Sequence, residues 1–291
     1  MMHNAAKIRT CTGLVSALML LGLTVGESPL ARAQAPIAAN DNLNATLWTQ
    51  TSVEFKANAL VAYKLAEVML DRALADKSWT AALEQAGSYQ DLPPAVILDV
   101  DETVLDNSDY QAWMVKEGVS LHPATWGAFV NTASSRPVPG SREFISYAAS
   151  QGVTIFYVSN RNTELEAATR KNLAAYGYPL DDTVDTVLLQ RERQAWGAKK
   201  GSRRAVVAET YRILLLIGDN FGDFVDAYKD TPEARQKLMD AHKSRWGTQW
   251  IVISNPTYGS WEAAPFGFNH QLSEAEKRAK KLGVLRFWEP K

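Results

Sequence analysis

The chain has 291 residues, with 31 basic and 32 acidic side chains and a formal net charge of −1. Hydrophobic residues make up 46% and charged residues 22%, which suits a folded core and excludes a disordered chain. Near-neutral charge argues against a nucleic-acid polymer or an anionic membrane surface as partner, since both select a basic excess.

Lys7 and Arg9 precede an apolar run over 14–25, and Ala31-Arg32-Ala33 offers small residues where a signal peptidase would cut. The run is shorter than the roughly 20 apolar residues of a bilayer span. Export is therefore expected, to the periplasm or the medium, with cleavage near Ala33 and no stable membrane anchor. Cys11, the only cysteine, lies ahead of the apolar run, and none follows where a lipid anchor would be attached. A mature chain would then have no thiol for disulfides, thiolate catalysis or zinc.

Residues 34–50 read as a linker. Val53, Ala57, Leu60, Val61, Leu65, Val68 and Met69 recur at helical spacing, which predicts an amphipathic helix over 51–75 within an N-terminal helical segment 51–90. After Pro93-Pro94, short apolar runs at 95–100, 153–158, 186–189, 213–217 and 250–253 suit strands buried on both faces. Residues 142–150, 164–176 and 203–209 are crossover helices. The stretch 105–137 carries Trp113 and Trp126 but no strand run, and reads as a mainly helical, cap-like insertion over the sheet edge. Ser273 and Glu276 form a capping box for a last helix, Lys277, Lys280 and Lys281 sit toward its negative end, and Gly283 stops it. This alternation predicts one α/β domain over 51–291 with a doubly wound parallel sheet. In such sheets ligands bind beyond the carboxyl ends of the strands, so the polar residues there carry the chemistry.

The first strand ends in Asp99-Val100-Asp101-Glu102-Thr103. Two carboxylates two residues apart at a strand end can converge on one point, the first as an oxygen nucleophile and metal ligand, the second as general acid and base. The second strand delivers Ser159-Asn160-Arg161, and the fourth Gly218-Asp219-Asn220-Phe221-Gly222-Asp223-Phe224. Between them, one lysine of Lys199-Lys200 can reach the same crevice. A hard divalent cation held by oxygen ligands, a carboxylate nucleophile, a hydroxyl and an ammonium make a set for phosphoryl transfer.

The run Asp99-Val100-Asp101-Glu102-Thr103-Val104-Leu105-Asp106-Asn107-Ser108-Asp109-Tyr110, with the Gly218–Phe224 run, resembles the bipartite signature of class C acid phosphatases, exported members of the haloacid dehalogenase-like (HAD) superfamily, subfamily IIIB. Asn255-Pro256-Thr257-Tyr258-Gly259-Ser260-Trp261-Glu262 looks like that family's C-terminal motif. Val100 and Phe221 depart from the usual Ile/Leu and Leu, both apolar exchanges. The resemblance implies a HAD-like, Rossmannoid fold and a phosphomonoesterase, an acid phosphatase or 5'-nucleotidase acting on nucleoside monophosphates and other small organic phosphates. Carried over residue by residue, it makes Asp99 the nucleophile that forms an aspartyl-phosphate and Asp101 the general acid and base. Mg²⁺ would be held by Asp99, the main-chain carbonyl of Asp101 and Asp219, with Asn220 and Asp223 one shell out. Thr103, Ser159, Asn160 and Lys200 would bind the phosphoryl group; Lys200 is preferred to Lys199 because the following Gly-Ser-Arg-Arg fits the family spacing. Tyr110, Trp126 and Tyr258 are candidates for stacking a nucleobase. A homodimer is one option, with no interface legible in the sequence.

Two alternatives stand beside this: phosphotransfer to an alcohol acceptor, and an exported binding protein that keeps the fold without catalysis. Histidine-based phosphatases are poor rivals, because His122, His242 and His270 adjoin none of the motifs. A dehalogenase has no use for a leaving-group acid at Asp101.

Overall fold

The structure, a computed structural model, describes residues 40–181 and 183–290. The export segment expected over 1–33 lies outside them. Among the described residues, no helix is long and apolar enough to cross a membrane.

In chain order the elements are α1 (Leu43–Thr51), α2 (Val53–Ala75), β1 (Pro94–Leu98), β2 (Leu105–Asp106), α3 (Ser108–Glu117), α4 (Pro123–Asn131), β3 (Arg136–Pro137), α5 (Ser141–Ser150), β4 (Thr154–Asn162), α6 (Glu166–Ala175), β5 (Val187–Gln190), α7 (Gly201–Thr210), β6 (Arg212–Gly218), α8 (Pro232–Ala241), β7 (Trp250–Val252), α9 (Ser260–Ala263) and α10 (Glu274–Gly283). The main sheet runs β5-β4-β1-β6-β7, and every pair in it is parallel. Strand order reverses at β1, so the crevice at the carboxyl ends of β1 and its neighbours is where this topology puts a ligand.

The sheet is covered on both faces, which is why its strands read as unbroken apolar runs. Val96 and Leu98 pack on one side with Tyr63, Leu70, Phe144 and Ile145 from α2 and α5. Ala95 and Ile97 pack on the other with Val207 of α7, Phe224 and Trp250. All seven residues of β6 are buried.

Three expectations need correcting. The linker expected over 34–50 ends sooner: residues 43–51 form α1, which packs on α3. Its apolar pattern is too weak to show as a periodicity, and tertiary contact stabilises it instead. The buried face of α2 is Phe55, Ala59, Tyr63, Ala66, Met69, Leu70 and Ala73, whereas Val53, Leu60, Val61 and Val68 are exposed. Alanines allow close approach to the sheet, and the Tyr63 hydroxyl finds the Thr103 carbonyl at 2.6 Å; aliphatic spacing alone could not rank the two faces. The last helix has the predicted Ser273–Glu276 capping box but includes Gly283, with Val284 in a right-handed conformation after it. The insertion over 105–137 holds α3 and α4, and the two-residue strands β2 and β3 pair antiparallel at its base.

Candidate active site

The Asp99–Leu105 segment leaves β1 and folds back on itself. The Asp99 amide donates to Ile217 O at 2.9 Å, and the amides of Val104 and Leu105 both return to Val100 O. Glu102 sits at the apex with φ +58°, a left-handed conformation uncommon for a residue with a side chain. It is pinned there: Glu102 Oε1 accepts from the Asn107 amide at 3.0 Å, and Oε2 accepts from the Tyr258 hydroxyl. On the neighbouring strand, Gly218 must lack a side chain, because a Cβ there would collide with the Asp223 carboxylate. That clearance lets the 219–223 turn close tightly, with Asp223 Oδ2 accepting from the Asn220 amide at 2.9 Å.

These turns bring four aspartates to one cavity of about 290 Å³, lined by Asp99, Asp101, Asp219 and Asp223 together with Asn160, Asn220, Arg161, Lys200, Trp126, Tyr228 and Tyr258. Oxygens of Asp99, Asp219 and Asp223 lie within 4.8 Å of one another. Lys200 is 4% exposed and bonds Asp99 and Asp223, the latter at 2.7 Å. Arg161 is 2% exposed and directs Nε and Nη2 onto Asp101 Oδ1 at 3.0 and 2.8 Å. Asn107 Nδ2 adds a third donor to the same oxygen at 2.9 Å.

The electrostatics follow from crowding. Burial pushes the Asp99 carboxyl up to about 7; Lys200 opposes the rise, while Asp223 and Asp101 reinforce it. Burial and then the charges of Asp223 and Asp99 hold Asp219 well above the usual carboxylate range. Burial and Asp101 raise Glu102 to about 8. Burial alone would lower Lys200, but the carboxylates of Asp223 and Asp99 outweigh it and raise that ammonium. Four aspartates thus face two cations, Lys200 and Arg161. The clustered carboxylates of Asp99, Asp219 and Asp223 offer only oxygen donors, and their crowding favours a cation between them. The residues present fit a hard divalent cation.

The other sequence-predicted residues take mixed places. Asn160 lines the cavity, with its Oδ1 accepting from Arg203 Nη2 at 2.6 Å and its Nδ2 donating to Ala198 O at 3.0 Å. Ser159 is fully buried, with its hydroxyl 3.3 Å from Asp101 Oδ2. The Thr103 hydroxyl lies 3.4 Å from Asp219 Oδ1. Neither of these two side chains forms part of the cavity lining. Trp126 and Tyr258 line it, but Tyr110 does not. The Tyr110 ring is buried against Trp113, Trp126 and Phe129, and its hydroxyl meets Thr125 at 2.9 Å. Tyr110 instead builds the core of the insertion and backs Trp126.

Sequence reasoning missed Arg161 and Arg203 as members of the site. Arg203 is fully buried and donates to Ser159 O at 2.5 Å, so it clamps the end of β4, where the register with β5 shifts between Ser159 and Asn162. The signal lay in the neighbours: Arg161 directly follows Ser159-Asn160, and Arg203 lies one helical turn beyond Lys200.

The profile of the HAD superfamily, subfamily IIIB (Acid phosphatase), matches residues 18–261. The chain is similar to the class C acid phosphatase from Bacillus anthracis, at 36% identity and a TM-score of 0.75, over 85% of this chain and 98% of that one. The same enzyme with tungstate bound gives 35% identity and a TM-score of 0.73 over the same shares.

Proposed function

This chain belongs to the HAD superfamily, subfamily IIIB acid phosphatases, which makes it a phosphoric monoester hydrolase, and from that premise we propose that it hydrolyses small phosphomonoesters through a phosphorylated Asp99. The observation that carries the reading is the placement of Asp99. It lies at the carboxyl end of the central strand, in contact with Lys200, and its carboxylate shares a cluster within 4.8 Å with Asp219.

The nucleophile needs an ionised oxygen facing phosphorus; Lys200 opposes the rise that burial imposes on Asp99, and a divalent cation held beside it would favour the charged form further. When the ester enters, the same ammonium can turn to the phosphoryl oxygens, where negative charge spreads in the transition state. Asp99 attacks phosphorus, the P–O bond to the leaving group breaks, and Asp101 delivers its proton to the departing alkoxide. Water then attacks the acyl-phosphate, Asp101 takes up its proton, phosphate leaves and Asp99 is restored. Arg161 and Asn107 fix the Asp101 carboxyl for both transfers, and Asp223 holds Lys200 in reach. Mg²⁺ would be held by Asp99, Asp219 and the main-chain carbonyl of Asp101, and when bound it neutralises charge on the phosphoryl oxygens.

Substrates are nucleoside monophosphates and other small organic phosphates. Trp126, Tyr228 and Tyr258 at the cavity supply flat apolar surface for the alcohol part. Tungstate, bound by the Bacillus anthracis enzyme, is a tetrahedral oxyanion like phosphate, which suits the Lys200 side of this cavity. Export by the segment 1–33, with the phosphatase domain from α1 onward released unanchored, completes the proposal. Steady-state assays of the purified protein on a panel of nucleotides and p-nitrophenyl phosphate, with EDTA and with Mg²⁺ restored, test it. Turnover that is lost in EDTA, recovered with Mg²⁺ and abolished in Asp99→Asn is the expected result; metal-independent turnover, or activity surviving in Asp99→Asn, would overturn it.

A further inference from the structure

Of the four aspartates at the cavity, three have a cationic partner. Asp101 pairs with Arg161, while Asp99 and Asp223 share Lys200. Asp219 forms no ion pair among the described residues. Its partners are neutral: the Thr103 hydroxyl at 3.4 Å from Oδ1 and the Asn255 amide, whose Nδ2 donates to Oδ2 at 2.8 Å. The shorter and better-defined contact comes from a segment outside the two aspartate-bearing loops.

The amide of Asn255 has only one way to face. Its Oδ1 accepts from the Thr257 amide at 2.9 Å and from the Thr257 hydroxyl at 2.6 Å. With the oxygen doubly engaged, the NH₂ end must point away from Thr257, and Asp219 is what it meets. Pro256 between the two fixes its own φ and biases Asn255 to an extended backbone, so little freedom remains. Thr257 is 6% exposed. The segment is anchored at its start where the Ile253 amide donates to Gly218 O at 2.9 Å, one residue before Asp219.

We infer that Asn255, oriented by Thr257, is a positioning residue that turns Asp219 so that Oδ1 is presented to the divalent cation while Oδ2 stays engaged. The inference rests on the reading that Asp219 holds that cation. A neutral donor suits the task. A lysine or arginine at this place would compete with the metal for the carboxylate, whereas an amide holds one oxygen and leaves the charge available. Asn255 is thus the counterpart, for the metal-binding aspartate, of what Arg161 is for Asp101.

The test is Mg²⁺ binding to chelator-treated full-length protein by titration calorimetry, with thermal melts alongside. Four variants are compared: Asp219→Asn, Asn255→Ala, Thr257→Val and Thr257→Ser. Asp219→Asn should lose Mg²⁺ binding. Asn255→Ala should weaken it by about 10-fold or more, in line with the loss of an outer partner of a ligand. Thr257→Val, which does not touch Asp219, should weaken it by several-fold because Asn255 Oδ1 then keeps only the backbone amide of residue 257 as donor and the side chain is held less firmly, and Thr257→Ser should keep wild-type affinity. If Asn255→Ala and Thr257→Val bind Mg²⁺ like wild type while Asp219→Asn does not, the positioning role is refuted and the metal reading stands. If Asp219→Asn binds Mg²⁺ normally, the metal reading itself falls. A drop in melting temperature in Thr257→Val with unchanged affinity would mark a purely structural contact and also refute the role. Should Asn255→Ala fail to fold, the Thr257 pair decides alone.

Discussion

Replacing Arg161 by Gln removes the guanidinium that orients Asp101. Two of its nitrogens reach Asp101 Oδ1, and Nη1 reaches the Thr169 hydroxyl at 3.1 Å. The Arg161 side chain is 1% exposed but that of Asp101 is 16% exposed, so the survivor is a carboxylate that cavity water can reach. Stranding a dry partner of a buried ion pair costs about 3–5 kcal/mol. Access to water brings the loss nearer the value of charged hydrogen bonds, about 2–3 kcal/mol. For a chain of this size, a melting temperature lower by about 4–12 °C follows. Asn107 and Ser159 still touch Asp101, so the carboxyl remains near but turns. The catalytic loss then depends on the leaving group. An alkoxide needs a proton in the transition state, where a positioned acid contributes about 10²–10⁴-fold; a nitrophenolate leaves with little help. The kcat/KM for glycerol phosphate should fall by about 10²-fold or more, and that for p-nitrophenyl phosphate by less than about 10-fold. Steady-state kinetics on the two esters at one pH measure both. Equal losses would refute the reasoning that Arg161 acts through the acid.

Three further outcomes follow from the same geometry. In the metal-free protein burial holds Asp99 at about 7 against an ordinary 3.8, despite Lys200. The folded state then keeps a proton that the unfolded chain has released, so this contribution to stability is present below about pH 4 and lost as pH rises to about 7. Melts in EDTA should show wild type losing ground to Asp99→Asn across that window, and a wild type that gains ground would contradict the shift. Tyr258→Phe leaves Glu102 Oε2 buried without its donor and should cost about 1–3 kcal/mol, read as a lower melting temperature; an unchanged melt would show that the contact is idle. Arg203→Lys removes the forked donation to Ser159 O and Asn160 Oδ1, and should raise the inhibition constant for inorganic phosphate by about 10-fold, the equivalent of one charged hydrogen bond; an unchanged constant would separate that strand end from phosphate binding.

Much of the fold was legible because parallel strands covered on both faces leave a plain trace. Residues 213–217 lie within β6, and polar residues at the ends of the runs 95–100, 153–158 and 213–217 fall at the cavity. Asp99, Asp101 and Asp219 could be placed because strand ends in this topology converge. The rest depends on tertiary partners that no local pattern encodes. The inward face of α2 turns on where Tyr63 finds an acceptor and on how closely alanines let a helix approach. Arg161, Arg203 and Arg204 look like surface charges in the sequence, yet each is buried among carbonyls and carboxylates contributed by distant segments. Tyr110 sits in the signature but packs inward, because three aromatic neighbours in the insertion offer more apolar contact than the cavity does. The amide relay from Thr257 to Asp219 spans segments that meet only when β6 and β7 pair.

The central claim is a covalent bond between phosphorus and Asp99. Acid-quenching the enzyme during turnover and reducing it with borohydride converts an aspartyl-phosphate to homoserine, which peptide mass spectrometry can place. Homoserine at position 99, dependent on substrate and missing in Asp99→Asn, is the predicted result. Homoserine at position 101 instead, or none at either position while the enzyme turns over at full rate, would contradict the account.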